Sequence, residues 1–233
     1  MKVPSGQVFN ELDLELLPLM AKYKFIERRD APFTLKSGIK SFIYVFGRED
    51  ITDHPDLEWL IGRKAALLVR EHSLPEDGQP CLIGIPTAGT AIAQAASMVS
   101  YAEDIRVNGY FICHRVMKEM LKVHGAHPNW VNGPPQPELH TYWTLDNVVT
   151  DGGSKFEAAE RLNENGYLVQ EMPSLVFVDR QQGGIQKMEQ RGFTRIVVAY
   201  RLLDLTFAFG ELELWPKEAV KSVEEEIKAH QLI

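Results

Sequence analysis

The stretch TLDNVVTDGGSK, residues 144–155, runs from hydrophobic residues into an acid, then closes on small polar residues and two adjacent glycines. Leu145, Val148 and Val149 suit the buried end of a β-strand, and Gly152-Gly153 suits a sharp backbone reversal. From Ser154 onward Phe156, Ala159, Leu162 and Gly166 recur at helix-like spacing. A strand, a polar turn and a helix N-terminus in that order form an anion site. The first amides of a helix lack intrahelical acceptors and carry the positive end of its dipole. The stretch reads as a phosphate cradle.

The rest of the chain repeats that rhythm. Residues 10–23 have helical spacing, with Asn10 as N-cap. SFIYVFG (41–47) reads as a strand, residues 56–71 as an amphipathic helix, and CLIGIP (81–86) as a short buried strand. Residues 89–101 form a small-residue helix suited to close packing. Strands are expected at GYFICHR (109–115), YWTLDNV (142–148), SLVFVDR (174–180) and RIVVAY (195–200). Helices are expected over 157–165 and 184–191, and two more after the last strand. Apolar strands alternating with helices indicate a mostly parallel sheet covered on both faces. Ligands of such sheets bind beyond the carboxyl ends of the strands. GIPTAGT, CHRVMK, DNVVTDGGS and DRQQGG all fall at that edge.

One segment interrupts the pattern. Residues 116–140 hold four prolines and two glycines, with Lys118, Lys122, His124 and His127. A connection this long is either a surface excursion or a functional lid, and basic residues beside a phosphate cradle suit the lid. Trp130 and Trp143 read as packing residues, and 217–230 as a solvated amphipathic helix.

Bulk properties restrict the function class. With 233 residues, 45% hydrophobic and 24% charged, the chain is an ordinary globular α/β protein. A formal net charge of -7 argues against a dedicated nucleic-acid binder. Cys81 and Cys113 sit in apolar runs with no Cys-x-x-Cys spacing, so they read as buried hydrophobes in a reducing compartment. The N-terminus lacks a signal-peptide core, and no apolar run reaches the roughly 18 residues of a membrane span. A cytoplasmic protein is expected.

The cradle is neither a Walker A loop nor a Gly-x-Gly-x-x-Gly turn. An acid at the strand end before a Thr-x-Gly-x-Ser turn suits a ligand carrying both hydroxyls and a phosphate, as a sugar phosphate does. The stretch resembles the phosphoribosyl-pyrophosphate (PRPP) motif of type I phosphoribosyltransferases. FTLKSGIKS (33–41), KVHG (122–125) and DRQQGG (179–184) are similar, in order and spacing, to segments of the orotate phosphoribosyltransferase family. The resemblance spans about residues 33 to 192.

That resemblance implies a type I phosphoribosyltransferase fold, with a mostly parallel five-stranded sheet flanked by helices and a small N-terminal hood. One domain would cover 1–233: hood elements over about 1–50, an α/β core over about 51–210, and a C-terminal helix over 211–233. It implies transfer of the phosphoribosyl group from PRPP to orotate, giving orotidine 5'-monophosphate and pyrophosphate. Asp146 and Asn147 would meet the ribose hydroxyls, beside Val148. Thr150, Asp151, Gly152, Gly153 and Ser154 would cradle the 5'-phosphate. Thr87, Ala88 and Gly89 would contact pyrophosphate, and Lys36 either pyrophosphate or the base. Tyr44, Thr150 and Arg180 would hold orotate, the guanidinium facing its carboxylate. Lys122, His124 and Lys118 would act on the leaving pyrophosphate, in the neighbouring site of a homodimer. Mg²⁺ would be held mainly by substrate, with Asp146 a possible ligand.

Two residues depart from the family pattern. Asn147 stands where a second acid is usual, and Asp151 where a small neutral residue is usual; Asp151 could point away from the phosphate or pair with a cation such as Lys155. In the 116–125 segment a gapless register puts Glu119 at a lysine position, whereas a one-residue insertion gives that position to Lys118. Alternatives to the orotate enzyme are a type I phosphoribosyltransferase for another base, or a non-catalytic PRPP-binding regulatory paralogue.

Overall fold

The computed structural model describes residues 1–35, 38–45, 49–120 and 129–230. Helix α1 (Glu11–Lys22) opens with a capping box. Asn10 accepts from the Asp13 amide, and Asp13 accepts in return from the Asn10 amide. Strands β1 (Ile26–Thr34) and β2 (Lys40–Val45) then form an antiparallel two-stranded sheet, the hood. Strand β1 was not expected, because its run IERRDAPFT is charged and contains proline; pairing with β2 sustains it rather than β-propensity.

Helices α2 (Glu49–Thr52) and α3 (Pro55–His72) lead into β3 (Gln79–Gly84), α4 (Ala88–Ala102) and β4 (Cys113–Val116). There follow β5 (His140–Val149), α5 (Gly153–Glu164), β6 (Ser174–Asp179), α6 (Gly184–Gln190), β7 (Ile196–Arg201), α7 (Leu202–Glu211) and α8 (Lys217–His230). Strand β4 begins four residues later than the sequence suggests, because residues 109–112 serve as a connection. Helix α5 begins four residues earlier, directly from the glycine turn.

The main sheet has the order β4-β3-β5-β6-β7, and every neighbouring pair is parallel. Strand β6 is buried at all six positions, as expected for a central strand covered on both faces. Strand β5 feeds two cores. Trp143 and Leu145 pack with α1, α3, α4 and α7, whereas Tyr142 and Val149 pack with α5 and α6. A buried ion pair seats α1: the Lys64 ammonium lies 2.6 Å from the Asp13 carboxylate, which also accepts from the Tyr200 hydroxyl at 2.5 Å. Among the described residues no helix is long and apolar enough to cross a membrane.

Candidate active site

The parallel sheet sends the ends of β3, β5 and β6 to one edge, and the loops after them meet the hood there. Between them lies a cavity of about 560 Å³. The hood supplies Phe33, Thr34 and Tyr44; the β3 loop supplies Ile85, Pro86, Thr87 and Ala88; the β5 loop supplies 146–148 and 150–155; the end of β6 supplies Arg180. Of the sequence-derived site residues, Tyr44, Thr87, Ala88, Asp146, Asn147, Val148, Thr150 to Ser154 and Arg180 therefore border one space. Gly89 is buried directly behind it. Lys36, Lys122 and His124 lie outside the described residues. Lys118 is half-buried beyond the cavity wall, its amide donating to the Trp130 carbonyl at 2.7 Å.

Glycines set how closely these loops approach. A Cβ on Gly84 would fall 2.2 Å from the Gly89 carbonyl oxygen, and one on Gly89 would fall 2.4 Å from that of Leu145. The β3 loop can thus lie flat against β5, where the Ile85 amide donates to Leu145 at 2.8 Å. The Pro86–Thr87 peptide in this loop is cis. Gly152 has φ +87°, the left-handed conformation that reverses the chain between β5 and α5. The turn brings the first residues of a 12-residue helix, Gly153 to Lys155, to the cavity wall, the place in a fold where anions commonly bind.

Of the two arrangements that the sequence leaves open for Asp151, pairing with Lys155 is not the one found. The Lys155 ammonium, buried under the turn, pairs with Asp146 at 2.5 Å and donates to the Val148 carbonyl. It does not pair with Asp151. The reason is geometric: one turn into α5, the lysine stem runs back beneath the loop toward the strand end. Asp146 also accepts from the Asn147 amide at 2.8 Å, so its carboxylate is held from two sides. Asp151 instead folds onto its own turn, accepting from the Gly153 amide at 3.2 Å. That carboxylate takes one of the amides that would otherwise be open to a phosphate.

At the other end of the cavity Arg180 is 2% exposed. It donates to the Ile43 carbonyl at 2.9 Å and the Ser41 hydroxyl at 2.7 Å, which fastens β6 to the hood. Its Nε–H is buried without a hydrogen-bond partner among the described residues. Burial pushes the guanidinium down to about 10, and the nearby Glu226 opposes that shift. Next to it, burial raises the Asp179 carboxyl, while the Gln181 amide donates to it at 2.8 Å. Tyr44 stands in an aromatic wall: its ring lies 5.0 Å from that of Phe33, and the Arg29 guanidinium sits 4.6 Å over Tyr44.

Sequence reasoning missed Lys155 as the partner of Asp146, and Glu226 behind Arg180. The first carried a signal: a lysine in the first turn of the helix that follows the glycine turn. Arg115 and Trp130 have structural partners. Arg115 binds the Pro134 carbonyl and the Tyr167 hydroxyl, and the Trp130 indole donates to Glu164 at 2.7 Å. Among the described residues no cluster of three or more His, Cys, Asp or Glu side chains could hold a metal ion. Asp146 and the Asn147 amide oxygen are the oxygen donors at the strand end. They suit an ion that arrives on a polyphosphate, since Mg²⁺ is commonly held by one or two carboxylates plus substrate oxygens.

Set against models of known protein families, the chain matches none. It is 31% identical over 209 residues to the orotate phosphoribosyltransferase of Nostoc sp., covering 90% of this chain and 92% of that relative. Among solved structures, UMP synthase of Leishmania donovani superposes with a TM-score of 0.72 at 20% identity. The match covers 93% of this chain and 42% of that one. Orotate phosphoribosyltransferase of Mycobacterium tuberculosis in complex with PRPP gives a TM-score of 0.53 at 20% identity, covering 82% and 96%. These structural likenesses concern the fold.

Proposed function

Because the chain belongs to the orotate phosphoribosyltransferase family, we propose that it transfers the phosphoribosyl group of PRPP to orotate, releasing pyrophosphate and forming orotidine 5'-monophosphate. The observation that carries this reading is the shared cavity. One wall is a helix-N-terminal anion loop beginning at an acid, and the facing wall is an aromatic hood with a buried arginine.

In this reading the 5'-phosphate rests on the amides of 151–154 and the hydroxyls of Thr150 and Ser154. Asp146 and Asn147 meet the ribose hydroxyls. Thr87 to Gly89 line the pyrophosphate end, to which Lys118, Lys122 and His124 also belong. Orotate lies toward Tyr44, Lys36 and Thr150, and the unpartnered Arg180 Nε–H is a donor for its carboxylate. The C1'–O bond to pyrophosphate breaks and a C1'–N bond to orotate forms, through an oxocarbenium-like state. Orotate's ring nitrogen is acidified by its substituents, so its proton can be lost without a strong base. The protein's task is to hold both partners in line and stabilise the departing polyanion. Mg²⁺, carried in on the pyrophosphate and touching the chain at most through Asp146, would neutralise part of that charge. We propose a single domain over 1–233, a cytoplasmic location, and a homodimer whose 116–140 segments serve each other's sites.

The test is loss of orotate's ultraviolet absorbance with PRPP and Mg²⁺; folded protein giving no turnover sinks the proposal. A panel of other bases separates it from a type I phosphoribosyltransferase of different specificity. Asn147 and Asp151 favour a second reading, a PRPP-binding protein without activity. Calorimetric binding of PRPP with no turnover of any base would select it.

A further inference from the structure

The hood pairs with no strand of the main sheet; among the described residues β1 and β2 bond only to each other. Its position over the cavity rests on the packing of Ile26, Ile43 and Val45 into the main core and on charged side chains reaching it from elsewhere. One comes from the end of β6, where Arg180 grips Ser41 and Ile43. The other comes from the far end of the chain. Glu226 on α8 accepts from the Phe42 amide of β2 at 2.9 Å through Oε2, and its Oε1 lies 3.9 Å from Arg180 Nη2. Resting on the function proposed above, we infer that Glu226 is a positioning residue for the base end of the site: one carboxylate seats strand β2 and holds the Arg180 guanidinium against it.

Three features support a dedicated role. The Glu226 side chain is only 8% exposed, and that of Arg180 2%. A carboxylate is rarely buried so far without a purpose, and a buried guanidinium left without a counter-charge is strongly disfavoured. The geometry also favours an acid. Oε2 accepts from the Phe42 amide, while Oε1, buried without a hydrogen-bond partner among the described residues, faces the Arg180 guanidinium at 3.9 Å as its counter-charge. A glutamine has one acceptor and would turn its NH₂ toward one of the two donors. Finally, α8 is a firm base, because Val223 and Ile227 are fully buried in the main core on the same helix. Tyr44 and Val45, which line the cavity, follow Phe42 on the strand that Glu226 holds.

The chemistry concerns the base rather than the sugar phosphate, since among the described residues no hydrogen bond or ion pair links Glu226 or the Arg180 side chain to Asp146, Lys155 or residues 150–154. Steady-state kinetics with orotate and PRPP varied separately tests the point. Glu226→Gln is expected to raise KM for orotate about tenfold, the loss of one charge-assisted contact. KM for PRPP and kcat should stay within about twofold. Glu226→Asp, which keeps the charge one methylene further back, should fall between wild type and Glu226→Gln. It decides alone if the glutamine variant does not fold. Ser222→Ala removes the neighbouring α8 contact to Arg28 and should behave as wild type. An orotate KM that is unchanged or lowered in both Glu226 variants overturns the inference. So does a parallel rise in KM for both substrates, which would report general loosening. Wild-type protein that turns over orotate while the variants match it sinks this inference alone. Wild-type protein that leaves orotate untouched sinks the function and the inference together.

Discussion

Replacing Lys155 by methionine isolates the feature on which the phosphate turn is built. Lys155 and Asp146 pair at 2.5 Å with side chains only 6% and 10% exposed. Methionine keeps much of the stem volume and removes the charge. Asp146 then remains a buried carboxylate that keeps the Asn147 amide as its donor, and the Val148 carbonyl loses the Lys155 ammonium. Breaking one partner of a buried pair costs about 3–5 kcal/mol. Because Asp146 borders a cavity and can recruit water, we take the lower part, about 3–4 kcal/mol. For a chain of this size that corresponds to a fall in Tm of about 6–16 °C. Urea unfolding of four proteins measures it: wild type, Lys155→Met, Asp146→Asn and the double variant. Removing both charges should restore at least half of the loss, giving a coupling energy of about 2 kcal/mol. Lys155→Met within about 1 kcal/mol of wild type, or strictly additive single effects, would refute the reasoning.

Other outcomes follow from the same geometry. Gly84→Ala would drive a Cβ to 2.2 Å from the Gly89 carbonyl, so a loss of about 3 kcal/mol or more is expected by urea unfolding; wild-type stability would show that the β3 loop can move. Asp151→Ser removes a carboxylate from the phosphate turn and should lower KM for PRPP about tenfold; an unchanged or higher value removes that carboxylate from the binding balance. Arg63 grips Glu103 through two nitrogens, at 2.6 and 2.7 Å, and these bonds hold the Glu103 carboxyl below its usual range. A depressed carboxyl contributes stability above its unfolded value of about 4.3, lost as pH falls through the lower folded value. Glu103→Gln should therefore cost about 1 kcal/mol at pH 7, a difference that shrinks below about pH 4; a difference independent of pH contradicts this.

The sheet and the glycine turn were legible because their signals are local. An apolar run such as SLVFVD can be buried on both faces only in a central strand, and Gly152-Gly153 before a helical pattern announces a turn. The hood was half legible. SFIYV reads as a strand, whereas IERRDAPFT does so only once β2 lies beside it. Side-chain pairing at the site was least legible. The sequence supplies Asp146, Asp151 and Lys155 within one short loop, and spacing alone allows either acid to take the lysine. The choice is made by the path of the lysine stem under the turn, a property of α5 and β5 together. Arg180 and Glu226 meet only because α8 returns over the hood, which no local pattern records.

That pairing also changes the meaning of the two departures from the family pattern. Taken along the chain, Asn147 removes a carboxylate beside the ribose and Asp151 adds one beside the phosphate. In three dimensions the ribose-side acid that remains, Asp146, already has its cation in Lys155. A second carboxylate at position 147 would have to share that cation or meet an ion brought in by the substrate, whereas asparagine needs neither. The acid at 151 has no such cation in the turn and satisfies itself on the Gly153 amide. The turn is therefore closed on itself by its own carboxylate, and under the proposed function an arriving 5'-phosphate would have to displace that carboxylate to reach the amide. On that reading the two substitutions would act at different moments. Asn147 would alter how the loaded site holds a metal-bearing substrate, and Asp151 would set what the phosphate must overcome to enter.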